Sequence, residues 1–446
     1  MRARISHLSA KQILAFGFAL IIFVGAFLLM MPIANRNHGS IPFVNALFTA
    51  ASATCVTGLV VYDTWTQFSL FGQVIILLLI QIGGLGFMTI TIFFSIVLGK
   101  RIGLKERGYL MESISALQLG GIVRLVRNIL IGTAIFEGIG AIILSFRFYP
   151  VFGLAKGIWY GIFHSISAFC NAGFDLMGSI KPYASLTPFA NDFIVNLTVI
   201  SLIIIGGVGF IVWEDIKNNK WHFKQYNLHS KIMIVSTVVL LFSSTLLLFL
   251  LENNASLAGL SSGRKILAAF FQAVTPRTAG FNTVNFAAYS EGGTLFTMFL
   301  MVIGAGPGST GGGIKITTFI VMLLAVYTSI QQREDVDVFH RRLEPEVIKH
   351  AFVSTTSYLL LMFSGCLIIA ALQDLPLKNV MFETASAIGT VGLSTGITRE
   401  LLPLSRLVII LLMYSGRLGS LTVFLAATDH HNIKPLRNPE DKIIVG

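Results

Sequence analysis

Four times along this chain a phenylalanine is followed ten residues later by a glycine: Phe48/Gly58, Phe163/Gly173, Phe270/Gly280 and Phe382/Gly392. The glycines sit in Ala-Thr-Cys-Val-Thr-Gly-Leu, Phe-Cys-Asn-Ala-Gly-Phe, Pro-Arg-Thr-Ala-Gly-Phe and Gly-Thr-Val-Gly-Leu. A repeat held in register this way is one supersecondary unit used four times, each copy burying its apolar faces on its neighbours. A second motif keeps phase with the first. Its leading glycines, Gly83, Gly206, Gly304 and Gly416, follow the first set by 25, 33, 24 and 24 residues, so only the second copy carries an insertion, around residues 181–188. Four equivalent units of this kind can ring one axis.

The solvent for such a unit is lipid. Charged residues make up 12% of the 446, against roughly 25% in soluble domains. The runs 13–31 and 73–98 each supply the about 20 residues that cross a bilayer. The first follows Arg2, Arg4 and Lys11, but it is too long for a signal-peptide core and no small-residue cleavage site follows it, so it reads as a retained helix. The net charge of +11 is not distributed for nucleic acid. Basic residues gather at the start, in 100–107, 217–231 and 341–349, and in the tail at Lys434, Arg437 and Lys442, all on one side of an even number of spans. The positive-inside rule then places both termini and these loops in the cytoplasm of a multi-pass plasma-membrane protein. Cys55, Cys170 and Cys366 have no metal-ligand spacing and require no disulfide.

The expected fold is an all-α membrane protein of four membrane–pore loop–membrane repeats, with eight transmembrane helices and four re-entrant pore helices around a pseudo-fourfold pore. The repeats take residues 1–105, 106–220, 221–335 and 336–446, the third with an intramembrane loop at 304–315 and the fourth with a cytoplasmic tail. The pore helices, at 43–53, 158–168, 265–274 and 379–387, are too short to cross. The irregular backbone after each is tolerable at membrane depth only where it lines water or packs in protein.

Lining a narrow pore with carbonyls requires consecutive C=O groups to face one way, and glycine reaches the necessary positive φ without steric cost. The candidate selectivity-filter residues are Val56, Thr57 and Gly58; Asn171, Ala172 and Gly173; Thr278, Ala279 and Gly280; Thr390, Val391 and Gly392. A ring of such carbonyls replaces the hydration shell of a potassium ion. Four glycines in register, each after a short helix, argue against mere helix packing.

These stretches resemble the pore-forming subunit of the Trk/Ktr/HKT superfamily of potassium transporters, most of all the bacterial Ktr type. The resemblance rests on Leu47-Phe-Thr-Ala-Ala-Ser-Ala, Val56-Thr-Gly-Leu, Gln81-Ile-Gly-Gly-Leu-Gly-Phe-Met-Thr, Gly103-Leu-Lys-Glu-Arg, Phe169-Cys-Asn-Ala-Gly-Phe, Phe271-Gln-Ala-Val-Thr-Pro-Arg-Thr-Ala-Gly-Phe-Asn and Gly389-Thr-Val-Gly-Leu. It covers nearly the whole chain, without the extra N-terminal helix pair of the Trk type. It implies a homodimer and a cytoplasmic RCK-type nucleotide-binding ring as regulator. It also implies potassium rather than sodium preference, because the first-loop position is Gly58 and not serine. No cofactor is expected beyond the transported K+, with Na+ either coupled or activating.

Repeat three departs from its siblings. Gly304, Gly306, Pro307, Gly308, Gly311, Gly312, Gly313 and Lys315 fall within a dozen residues, and glycine and proline disfavour helix by about 1 and 3 kcal/mol each. An unwound loop beneath the filter is expected here, similar to the family's gating loop. The same stretch matches G-x-G-x-x-G, but no βαβ unit surrounds it and it is discounted as a nucleotide site. Arg417 lies inside the last span, where a charge implies function: it either repels ions or pins the loop through freed carbonyls. The alternative is a structural pair with Glu383 or Glu137. Glu383 is also a candidate partner for Arg277, His164 reads as a packed side chain, and Asn171 as a support for the filter. Ser262-Gly-Arg-Lys265 fits S-x-x-K by chance. An intramembrane enzyme would need convergent acid, base or nucleophile groups, and the scattered ionisable residues offer none. A purely structural scaffold leaves the glycines unexplained.

Overall fold

The computed structural model describes residues 9–97, 102–113 and 120–419, with Pro439 beyond them. The tail basic residues and the first eight positions lie outside the described residues. Repeat one runs α1 (Ala10–Met30), α2 (Phe43–Thr54), α3 (Leu70–Leu85) and α4 (Phe87–Val97). Repeat two runs α5 (Ile122–Phe152), α6 (Leu154–Phe169), α7 (Phe193–Val208) and α8 (Phe210–Asn219). Repeat three runs α9 (Leu228–Glu252), α10 (Ser262–Val274), α11 (Glu291–Val302) and α12 (Ile316–Ile330), and repeat four α13 (Pro345–Leu372), α14 (Leu377–Gly389) and α15 (Pro403–Leu418).

The opening helix of each repeat, α1, α5, α9 and α13, is long and apolar enough to cross a bilayer unbroken. Each carries an exposed apolar face, as with Phe16, Leu20, Phe23 and Phe27 on α1. The short helices lie inside: every residue of α2 from Asn45 to Thr54 is buried. Polar groups concentrate there too, with Ser52, Thr54, Ser167, Asn171, Ser386 and Thr390 at zero exposure. Apolar outside and polar within is the arrangement lipid imposes.

The second helix of each repeat is where the sequence reading needs correction. It left open whether the second motif's glycines pack helices closely or bend them, and placed a break only in the third repeat. The α3–α4 pair is bent by 97° and the α7–α8 pair by 93°. The bends fall at Gly86 and Gly209, with φ of +82° and +103°, and α15 stops at Gly419 with φ +90°. These glycines stand three residues after the second motif's leading glycines. Hydropathy hides the break because the residues flanking each bend, Leu85 and Phe87 at one and Val208 and Phe210 at the other, are apolar. In repeat three the equivalent position is Pro307, and no helix forms between Val302 and Ile316.

The leading glycines have a separate task. A Cβ on Gly83, Gly206 or Gly416 would run into the carbonyl of Thr54, Phe169 or Ile388, near the last turn of the neighbouring pore helix. Only a hydrogen in that place lets the second helix seat beneath the first.

Candidate functional site

All four pore helices feed their C-terminal ends into the glycine loops, so the negative ends of their dipoles converge on the site. Each loop is hung from its own helix. Thr57, Ala172 and Val391 donate their N–H groups to the Ser52, Ser167 and Ser386 carbonyls at 2.8 Å, and Ala279 donates to Thr275 at 2.9 Å. These bonds occupy the N–H groups and leave the loop carbonyls free of the helix. Hydroxyls complete the suspension. The Ser52 and Ser386 hydroxyls accept from Gly58 and Gly392 N–H at 3.1 and 3.0 Å. Ser167 and Thr275 donate instead to the Phe174 and Phe281 carbonyls. Sequence reasoning passed over these four hydroxyls, although Ser or Thr five or six residues before each glycine was the available signal.

The loops share one backbone pattern. The glycines hold φ of +90°, +70°, +80° and +90°, and the residues two positions earlier, Val56, Asn171, Thr278 and Thr390, hold +51°, +56°, +69° and +50°. Positive φ at alternate residues turns successive carbonyls to one side. Three of the non-glycine residues are β-branched, for which this conformation is strained by about 1–3 kcal/mol; the hangers hold them there.

The four loops close on one another head to tail. A Cβ placed on Gly58 would meet the Ala172 carbonyl and lie 3.1 Å from the Gly173 Cα. One on Gly173 would meet the Ala279 carbonyl, 3.0 Å from the Gly280 Cα, and one on Gly280 the Val391 carbonyl, 3.3 Å from the Gly392 Cα. One on Gly392 would strike the Thr57 carbonyl, 3.0 Å from the Gly58 Cα, which completes the circle. All four glycines line a single cavity of about 210 Å³ above the ring. Asn171 adds a brace between loops, donating to the Arg277 carbonyl and the Thr278 hydroxyl at 3.2 Å.

Repeat three slips slightly out of phase. Pro276 ends its pore helix at Val274, and Phe270 is only partly buried while Phe48, Phe163 and Phe382 are fully enclosed. The insertion of repeat two lies over the cavity. Tyr183 donates its N–H to Asp63 and its hydroxyl to the Val61 carbonyl, and the Ser185 hydroxyl accepts from Asn282 N–H. The Arg399 guanidinium stacks 4.4 Å above the Tyr183 ring. One segment of repeat two thus touches the other three.

Beneath the ring runs the 304–315 loop. Gly306 and Thr310 donate N–H groups to the Gly207 and Gly206 carbonyls, Gly313 to Gly416, and Phe210 to Gly308. Gly311 and Gly312 press on the Thr278 and Thr390 side chains. Lys315 Nζ donates to the Gly311 carbonyl at 2.8 Å and to Gly312 at 3.4 Å. Arg417 donates to the carbonyls of Thr310, Gly83 and Gly84, joining the loop to the broken helix of repeat one. Arg417 and Lys315 line a second cavity of about 210 Å³ on this side.

The expected acid partners are elsewhere. Glu383 accepts from the Ser394 and Thr398 hydroxyls of its own repeat, and Arg277 turns to Thr237. Glu137 accepts from Gln81 at 3.2 Å. Hydroxyls and amides in reach satisfy these carboxylates without a second buried charge. His164 is packed, donating Nδ1–H to the Tyr160 carbonyl while Nε2 accepts from Leu176 N–H. Lys265 caps Asn253 and forms no site with Ser262. The three cysteines are buried and free, and no metal-holding group of His, Cys, Asp or Glu occurs among the described residues.

The family model described as "TrkH: Cation transport protein" matches residues 10–434. The chain belongs to this family. It is 44% identical over 440 residues to the Ktr system potassium uptake protein B of Bacillus subtilis, covering 98% of this chain and 96% of that relative. It is 37% identical to the potassium/sodium uptake protein NtpJ of Enterococcus hirae, covering 100% and 99%. The crystal structure of the potassium transporter TrkH from Vibrio parahaemolyticus superposes with a TM-score of 0.72 at 20% identity, covering 93% of this chain and 85% of that one. The fold is that of Trk-family membrane proteins, and the family is one of transporters rather than enzymes.

Proposed function

We propose that this chain is the ion-translocating subunit of a Ktr-type potassium uptake system. The observation that carries the reading is the closed ring, in which each glycine rests against the carbonyl that precedes the next. Val56–Thr57–Gly58 and its three counterparts supply the carbonyl layers. The C-terminal dipoles of four helices favour a cation there, and no titratable side chain is needed to bind it. K+ enters from the outer cavity, sheds water onto the ring, passes the 304–315 loop and leaves to the cytoplasm down the membrane potential.

On this reading the loop, with Lys315 and Arg417, is the gate. Two cations directly beneath a cation path oppose passage while the loop stays closed. Both termini and the basic loops around 217–231 and 341–349 are cytoplasmic, and the loops dock an RCK-type nucleotide-binding ring. The four units bounded at 105, 220 and 335 form the pore within one chain, and two chains form the homodimer. Names among the relatives support the ion: potassium uptake for the Bacillus protein, potassium and sodium for the Enterococcus one. The second name keeps a sodium-permeable transporter of the same fold as the competing reading.

Rubidium and sodium tracer uptake by cells lacking other potassium uptake systems tests this, comparing the chain with its Gly58→Ser variant. Rubidium uptake that the substitution weakens or opens to sodium is the expected result. If neither protein carries either ion even when a cytoplasmic regulatory subunit is co-expressed, the transport reading fails.

A further inference from the structure

A groove of about 480 Å³ opens away from the ring, between α5, α7 and α8. Its walls are apolar, with Ile129, Ile135, Phe136, Ile205 and Trp213 among them. It continues the exposed apolar stripe of α5 at Ile131, Ile135, Ile139 and Ile142. Trp213 is held in place: its indole N–H donates to the Ile205 carbonyl at 3.0 Å, and its ring packs 5.3 Å from Phe136 and 5.2 Å from Phe210. The slot is therefore preformed. Because α8 turns 93° away from α7, it lies along the bilayer surface where α7 crosses, at the depth that tryptophan prefers.

The mouth of the groove is basic. Lys217 Nζ donates to Asn128 Oδ1 at 3.0 Å and ties α8 to α5. Arg124 lies one turn before Asn128 on α5, and Lys220 follows directly on the last residue of α8, three positions beyond Lys217; both are exposed and stand beside the lining. Glu214 is the one carboxylate in the lining; its neighbour Asp215 is buried and taken up by Asn227. Lys217 and Glu214 balance within the lining, so the exposed Arg124 and Lys220 beside it leave the mouth net positive, which favours an anionic headgroup.

We propose that this groove binds an anionic phospholipid, one acyl chain lying beside Trp213 and the phosphate held by Arg124, Lys217 and Lys220. The inference does not depend on which ion the ring conducts.

Trp213 reports its own occupant. The full chain is reconstituted in vesicles of phosphatidylcholine and phosphatidylglycerol, with either lipid brominated. The fluorescence difference between the wild type and Trp213→Phe isolates this ring among the chain's four tryptophans. Brominated phosphatidylglycerol should quench it with a relative binding constant several-fold above that of phosphatidylcholine. The exposed-site double variant Arg124→Gln/Lys220→Gln should lower that preference by about fivefold for each group removed. Equal quenching by the two lipids in the unsubstituted protein, or a preference that survives the double substitution, overturns the proposal.

Discussion

The glycine ring and the layer beneath it are built from the same four repeats by opposite rules. In the ring each repeat contributes an equivalent loop: the same helix end, the same pair of positive φ values, the same contact with the next carbonyl. In the layer below, repeats one and two contribute helices bent at Gly86 and Gly209, repeat three an unwound loop, and repeat four an arginine. On the reading proposed above, coordination of a small spherical ion rewards equal ligands from all sides. A barrier that must open needs one part able to move against the others, and equal parts do not provide that.

The equality of the ring is the easier half to break. Replacing Gly58, Gly173, Gly280 or Gly392 by alanine puts a Cβ on the neighbouring carbonyl and a side chain at left-handed φ, which alone costs about 1–2 kcal/mol. Each variant should lose rubidium uptake at least about tenfold, and by similar amounts. A repeat whose alanine variant keeps wild-type initial rates does not belong to the ring.

Arg417 probes the unequal layer. Arg417→Gln removes charged donors from three carbonyls, each such bond contributing about 1.5–3 kcal/mol. Rubidium flux should rise about fivefold or more when the regulatory subunit is absent or inactive. Flux that stays coupled to the regulator in this variant would leave the loop without its proposed role.

Asn171 braces loops two and three and has no counterpart of its residue type in the other loops, and Asn171→Ala sharpens the contrast. Losing two hydrogen bonds between loops two and three should reduce the preference for rubidium over sodium by about fivefold, read from competitive uptake. The smallest effect belongs to the strap. Tyr183→Ala releases Arg399 from its stack, an interaction of about 0.5–1 kcal/mol at exposed sites. The guanidinium then leaves the mouth of the cavity, and the uptake KM at low ionic strength should fall about twofold. An unchanged KM would mean that the charge does not reach the ions.

Much of the ring was legible because its demands are local. A short apolar helix, a glycine and a fixed spacing can be read along the chain, and the structure places pore helices within a few residues of the expected segments. The start of α6 was misjudged by four residues, since Lys156 and Gly157 interrupt the apolar run after Leu154 and Ala155. What was not legible depends on partners far apart. Nothing near Glu383 announces that Ser394 and Thr398 will satisfy it rather than Arg277. The bends at Gly86 and Gly209 escaped because a glycine amid isoleucine and leucine scores as membrane whether the backbone runs straight or turns. The second positive φ was hidden in three of the loops, since valine and threonine at that position advertise strand, not a left-handed turn; only Asn171 is a residue type that favours it.

The circle of glycines is completed by the seam between the last repeat and the first. Gly392 rests on Thr57 and Gly58, Arg406 donates to Asn45 across 361 residues, and Tyr414 to Ala15 across 399. A ribosome inserting this protein has therefore placed three quarters of the pore in the bilayer before any ring exists. Until the final helices arrive, the chain holds an open crescent of three loops in place of the closed circle. If the ring is the ion site proposed above, a truncated or half-made chain should carry no ion at all instead of becoming a faulty leak.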